Sequence, residues 1–311
     1  MRELGDALDL STSQLFSHVC DASIGSAIIM TGGSSPLRRL AFAGRWYTGD
    51  PHRLAEEVEA MLATAAPPTV TALAVVSPHA GLQYSGPVAA WSYRALSARR
   101  CDVVVLIGPS HRVAFRGCAM LARGAIETPW KPLPIDADLA TALAEETPYL
   151  RETGEQIHAA EHSLELQLPF LAHVLPGVPV VPILMGEQTR TVAFAVGDAI
   201  ADVARGRNVA LVASSDLSHY HDAVTAGALD ARVLDALDQC DASLLMERLE
   251  HNPHHACGGG PMVAVLHAAA RLGAAEGGVL KYADSGDVTG DKSQVVGYVA
   301  AAYVEAERHA A

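Results

Sequence analysis

Val103, Val104, Val105, Leu106 and Ile107 run without polar interruption between Asp102 and Gly108-Pro109. A strand that is apolar on both faces has no side to give to water, so it belongs inside a sheet covered above and below. Similar short, apolar runs bounded by turn residues lie at 73–76, 178–184, 209–213, 278–282 and 295–303, and they predict further strands. Helical patterns occupy the intervals, at 51–63, 86–96, 136–145, 161–173, 189–204, 222–238, 242–250 and 261–272. The first helix start is plain in Asp50-Pro51, because the carboxylate caps free amides and proline lacks an amide that the first turn leaves unpaired. Strand, loop and helix in repeated order predict an α/β fold, with a mostly parallel sheet covered by helices on both faces.

From Arg39 onward no linker exceeds a turn and no repeat recurs at a fixed period, so residues 37–311 read as one α/β domain. Residues 1–36 are rich in Ser, Gly and Asp and end in Thr31-Gly32-Gly33-Ser34-Ser35-Pro36, which suits a flexible extension; a short docking helix over 8–19 is the alternative. Glu3, Asp6, Asp9 and Asp21 precede the apolar stretch 24–30, whereas a secretory signal needs positive charge there. No apolar run approaches the ~20 residues that span a bilayer, which excludes a transmembrane helix. A formal charge of −13 would repel a phosphate backbone, and 5% aromatic content leaves few stacking platforms, so nucleic acid is excluded as a partner. Five cysteines, odd in number and without paired spacing, predict free thiols in a reducing, cytoplasmic setting.

Active sites of open α/β sheets form beyond the carboxyl ends of the strands. Three predicted strands deliver histidine there: His79 in Ser77-Pro78-His79-Ala80-Gly81, His111 in Gly108-Pro109-Ser110-His111, and His219 in Ser214-Ser215-Asp216-Leu217-Ser218-His219. One loop histidine is ordinarily a solvated turn residue, but three at one sheet edge point to metal or acid–base chemistry, with Asp216 placed to orient or tune a ring. Cys257 precedes Gly258-Gly259-Gly260-Pro261, where proline reads as the first residue of a helix. That position predicts a thiolate, fit to be a ligand or a nucleophile. His162 and Glu165, three residues apart, are predicted to share a helix face and form a further pair, in competition with a plain acidic helix start. Cys101, Cys118 and Cys240 read as inert, and His251, His254 and His255 as a solvated loop cluster. No phosphate loop, dinucleotide fingerprint, G-x-S-x-G elbow or H-E-x-x-H helix is present.

Ala43-Gly44-Arg45-Trp46-Tyr47, Pro78-His79-Ala80-Gly81 with Tyr84-Ser85-Gly86, Gly108-Pro109-Ser110-His111, Glu161-His162-Ser163-Leu164-Glu165 with Leu168-Pro169-Phe170, Ser214-Ser215-Asp216, and Cys257-Gly258 with Pro261 occur in this order. In these motifs the chain resembles the Memo family, called AmmeMemoRadiSam system protein B in prokaryotes, from about Arg39 to Val304. That family is similar in fold to the class III extradiol ring-cleaving dioxygenases. The resemblance implies a three-layer α/β/α sandwich with a mononuclear metal site at the sheet edge. The related dioxygenases hold Fe2+ on two histidines and a glutamate, with a further histidine as acid/base. Carried over by motif, His79 and His111 are the histidine ligands, His219 the acid/base group, and Cys257 stands in the glutamate's place. Tyr84, Ser110, His162 and Glu165 fall around the same pocket. Thiolate is softer than carboxylate, so copper or zinc would also suit the site besides iron. Two functions follow: a dioxygenase-type redox enzyme in which His219 moves the proton, or a non-catalytic module whose pocket holds a peptide or small anionic ligand. The prokaryotic system name implies a radical-SAM enzyme as pathway partner.

Overall fold

The computed structural model describes residues 36–67 and 70–305. The expected N-terminal extension, apart from Pro36, lies outside the described residues, as do His18, Cys20 and His309. A nine-stranded sheet forms the centre, in the order His219–His221, Val295–Glu305, Ala74–Ser77, Val209–Ser214, Val103–Pro109, Val180–Met185, Cys118–Met120, Leu150–Glu152, with Ala274–Asp284 also paired to Val295–Glu305. The four strands from Ala74–Ser77 to Val180–Met185 are parallel. On either side Val295–Glu305 and Cys118–Met120 join them antiparallel.

The apolar runs explain the layers. Val103, Val105 and Ile107 face a core shared with Val192, Val196, Ile200, Met262 and Val263. Val104 and Leu106 point the other way, against Leu54, Val58, Tyr93, Leu96 and Phe170. Each such aliphatic side chain contributes about 1.5–3 kcal/mol when fully buried. Helices Arg190–Val203 and Gly259–Arg271 cover the first face, and Pro51–Thr64 and Leu82–Leu96 cover the second. The result is the expected three-layer α/β/α sandwich.

Two helix expectations need correction. The predicted helix over 161–173 is a loop, a 3₁₀ turn at Glu165–Gln167 and a short helix at Leu168–Val174. Pro169 sits in the first turn of that helix, and in the interior of a longer one it would remove an amide donor and clash with the preceding turn. The helix predicted from residue 86 starts a turn earlier, as Leu82–Leu96, and carries Pro87 inside. His255, expected in solvent, is buried at 5% exposure in a 3₁₀ turn. Among the described residues, no helix is long and apolar enough to cross a membrane.

Candidate metal centre

The parallel strands end at one edge, and Ser77-Pro78 carries His79 into the protein at 1% exposure. Asp216, beyond the neighbouring strand Val209–Ser214, accepts a hydrogen bond from the His79 backbone amide at 2.7 Å. Asp216 therefore fixes the backbone of His79 and does not orient its ring, while its field acts on the nearby His162 ring. The ring is held separately, with Nδ1 2.8 Å from the Ser214 hydroxyl. Its other nitrogen, Nε2, lies 3.1 Å from Cys257 Sγ.

Cys257 arrives from the opposite side, just before helix Gly259–Arg271. Its approach depends on Gly258, since a Cβ there would collide with the Ser214 carbonyl and meet the Ser215 side chain at 2.8 Å. Sγ accepts the Asp216 backbone amide at 3.3 Å. The thiolate expectation needs correction: burial, and then the negative charge of Asp216, push the Cys257 thiol well above its ordinary range.

His111 completes the group. Glu161 accepts its backbone amide at 2.5 Å and meets its Nδ1 at 2.9 Å. A carboxylate on Nδ1 favours a proton there and leaves Nε2 as the free donor atom. Burial alone would raise the Glu161 carboxyl, but the His111 hydrogen bond and the Ser163 amide hold it well below the ordinary range. Donor atoms of His79, His111 and Cys257 all lie within 4.8 Å of one another, a spacing that fits metal bonds of about 2.0–2.3 Å. His111, Glu161 and His162 form a second group of the same compactness. Glu161 is already engaged by two amides and the His111 ring, so it serves better as an orienting anion than as a ligand.

Around these groups stands an aromatic wall. His162 stacks on His111 with ring centroids 4.4 Å apart and lies 4.6 Å from Trp46. Burial, with the fields of His79 and His111, lowers the His162 imidazole to about 3, so it stays neutral. Burial and His111 likewise hold His79 far below the ordinary imidazole range. His219 is half-buried at the start of the short strand His219–His221, and its Nδ1 faces the Leu217 carbonyl at 2.8 Å. A carbonyl only accepts, so Nδ1 carries the proton and Nε2 is left basic. Burial raises the Asp216 carboxyl, opposed first by the field of His219.

Glu165 does not join the centre. Fully buried, it binds Arg38 at 2.7 Å, the Phe42 amide at 2.7 Å and the Tyr47 hydroxyl at 3.0 Å, and so fastens the segment that carries Trp46. Ser110 caps its own loop through the Val113 carbonyl, and Tyr84 packs beside the cluster of Val88, Tyr298 and Ala300. Glu161 was absent from the expected site residues, although its motif was visible, because an acidic residue before an apolar run also reads as a helix start. Replacing Glu161 with glutamine is expected to weaken metal binding about 10–100-fold while leaving the fold intact, measured by competition with a chelator.

The family described as Memo-like protein matches residues 38–302. The chain belongs to the Memo family. This Memo-like protein is 34% identical over 275 residues to a MEMO1 family protein of Nitrosopumilus maritimus, a match covering 86% of this chain and 100% of that one. It is 38% identical to a MEMO1 family protein of Methanopyrus kandleri, covering 85% and 97%, and 37% identical to one of Methanothermobacter thermautotrophicus, covering 84% and 98%. Among solved structures, its fold is similar to that of an uncharacterized protein, JW3007, from Escherichia coli K12. The TM-score is 0.53 at 18% identity, covering 73% of this chain and 98% of that one. That likeness is one of fold, in keeping with the three-layer α/β/α sandwich.

Proposed function

We propose that this Memo-like protein is a mononuclear metalloprotein and a redox enzyme of dioxygenase type, with His79, His111 and Cys257 holding iron, and copper or zinc as alternatives admitted by the thiolate. The observation that carries this is the convergence of two imidazoles and a thiol while the remote nitrogen of each ring is engaged, by Ser214 and by Glu161. When bound, the ion supplies Lewis acidity and, as iron or copper, one-electron redox chemistry. His219 offers Nε2 to take a proton from an acidic substrate hydroxyl, because Nδ1 is committed to Leu217. Trp46 and His162 form the wall against which a flat, electron-rich substrate stacks. Cys101, Cys118, Cys240 and Cys257 are free thiols, which favours a reducing, cytoplasmic location.

Oxygen uptake by the iron-loaded protein with catechol-like compounds tests the activity. Uptake that disappears in His219→Ala with metal retained supports it. A metal-loaded protein with no uptake leaves the pocket as a binding module for a peptide or small anion. Loading should also depend on pH. The Cys257 thiol is pushed up by burial and Asp216, so a cation must expel its proton. Affinity is therefore expected to rise about tenfold per pH unit from about pH 6 to about pH 8, as titration with a competing chelator would record.

A further inference from the structure

His79 Nδ1 ends a chain of hydrogen bonds that begins on the far face of the sheet. Gln167 is completely buried in the turn Glu165–Gln167. Its Nε2 donates to the Pro78 carbonyl at 2.8 Å and to Ser214 Oγ at 2.9 Å, and its Oε1 accepts from the Tyr93 hydroxyl at 2.9 Å. A carbonyl only accepts, so Pro78 fixes which end of the amide is nitrogen. Ser214 has one proton, and it goes to the Ser163 carbonyl at 2.6 Å. One lone pair of Ser214 then receives Gln167, and the other faces His79 Nδ1 at 2.8 Å. The only group left to supply a proton across that contact is the imidazole. Nδ1 is thus protonated and the lone pair sits on Nε2, toward Cys257 Sγ.

We propose that Ser214 and Gln167 are positioning residues that lock His79 in its Nδ1–H tautomer and so present Nε2 as a metal-ligating atom. The opposite tautomer would take the Ser214 proton, leave the Ser163 carbonyl without its donor and turn an N–H toward Cys257. The two ring partners also differ in kind. His111 leans on a buried carboxylate and His79 on a neutral hydroxyl, so the protein tunes its two imidazoles unequally.

The metal part of this proposal rests on the reading of His79 as a ligand, whereas the tautomer does not. The test is nitrogen-15 NMR of histidine-labelled, metal-free full chain at about pH 8, above the ordinary imidazole pKa of about 6.5, with His79→Ala used to assign the ring. The parent should show His79 protonated at Nδ1, Ser214→Ala should shift population to the Nε2–H form, and Ser214→Thr should restore the parent pattern. Gln167→Leu should give a smaller shift, because Ser214 can still donate to Ser163 and accept from His79. In parallel, Zn2+ affinity should fall about 10–100-fold in Ser214→Ala and recover in Ser214→Thr. A parent ring protonated at Nε2, or a Ser214→Ala tautomer identical to the parent, overturns the lock. A shifted tautomer with unchanged Zn2+ affinity overturns its role in ligation. A parent with the Nδ1–H ring that binds no Zn2+ defeats the metal reading and leaves the tautomer lock supported.

Discussion

Glu165→Ala is expected to lower the unfolding free energy by about 3–5 kcal/mol, seen as a lower urea midpoint at unchanged slope. The carboxylate is buried and receives the Arg38 guanidinium, the Ala41 and Phe42 amides and the Tyr47 hydroxyl. Arg38 is itself only 3% exposed, so removing its partner strands a buried cation. Guanidinium bonds to the carbonyls of Arg39, His158 and Glu161 remain, but they carry no opposing charge. The amides of residues 41 and 42 lose their acceptor as well, each a further desolvation cost. The lesion should also reach the metal centre, because this segment sets Phe42 and Trp46 against His162. A loss below about 1 kcal/mol would show instead that these carbonyls suffice to hold Arg38, as at an exposed pair.

Much of this architecture is legible in the chain itself. Continuous apolar runs such as Val103 to Ile107 announce doubly covered strands, and the structure puts alternate residues of that run into opposite cores. The short strands of one flank are less visible. Cys118–Met120 and Leu150–Glu152 span three residues each, too short for a period to register, and their pairing is decided by tertiary packing. At the site, His79, His111 and Cys257 stand out because strand ends and a glycine-rich helix entry are recognisable locally. Glu161, Ser214 and Gln167 do not. Their roles depend on partners 50, 135 and 47 residues away, Gln167 reaching His79 through Ser214, and sequence spacing gives no sign of such contacts. Glu165 shows the reverse error: its spacing from His162 suggested a shared face, but no helix forms there and the carboxylate turns to Arg38.

His79, His111 and Cys257 carry the central claim, and their removal should have the largest effect on binding. Loss of a single orienting partner weakens a metal site about 10–100-fold, so loss of a direct ligand should exceed about 100-fold. The thiol matters in a second way, since Cys257 alone among the three supplies an anionic donor to offset the cation's charge. Substitutions at Cys118 should be silent toward metal, because that thiol is buried in its strand and belongs to neither ligand group found among the described residues. The most direct measurement is metal content by elemental analysis after anaerobic purification of the full chain, comparing the parent with His79→Ala, His111→Ala and Cys257→Ala, each checked for folding by circular dichroism. One equivalent of iron, copper or zinc in the parent, lost in all three folded variants, is the predicted result. A parent without stoichiometric metal, or variants that keep it, would contradict the assignment.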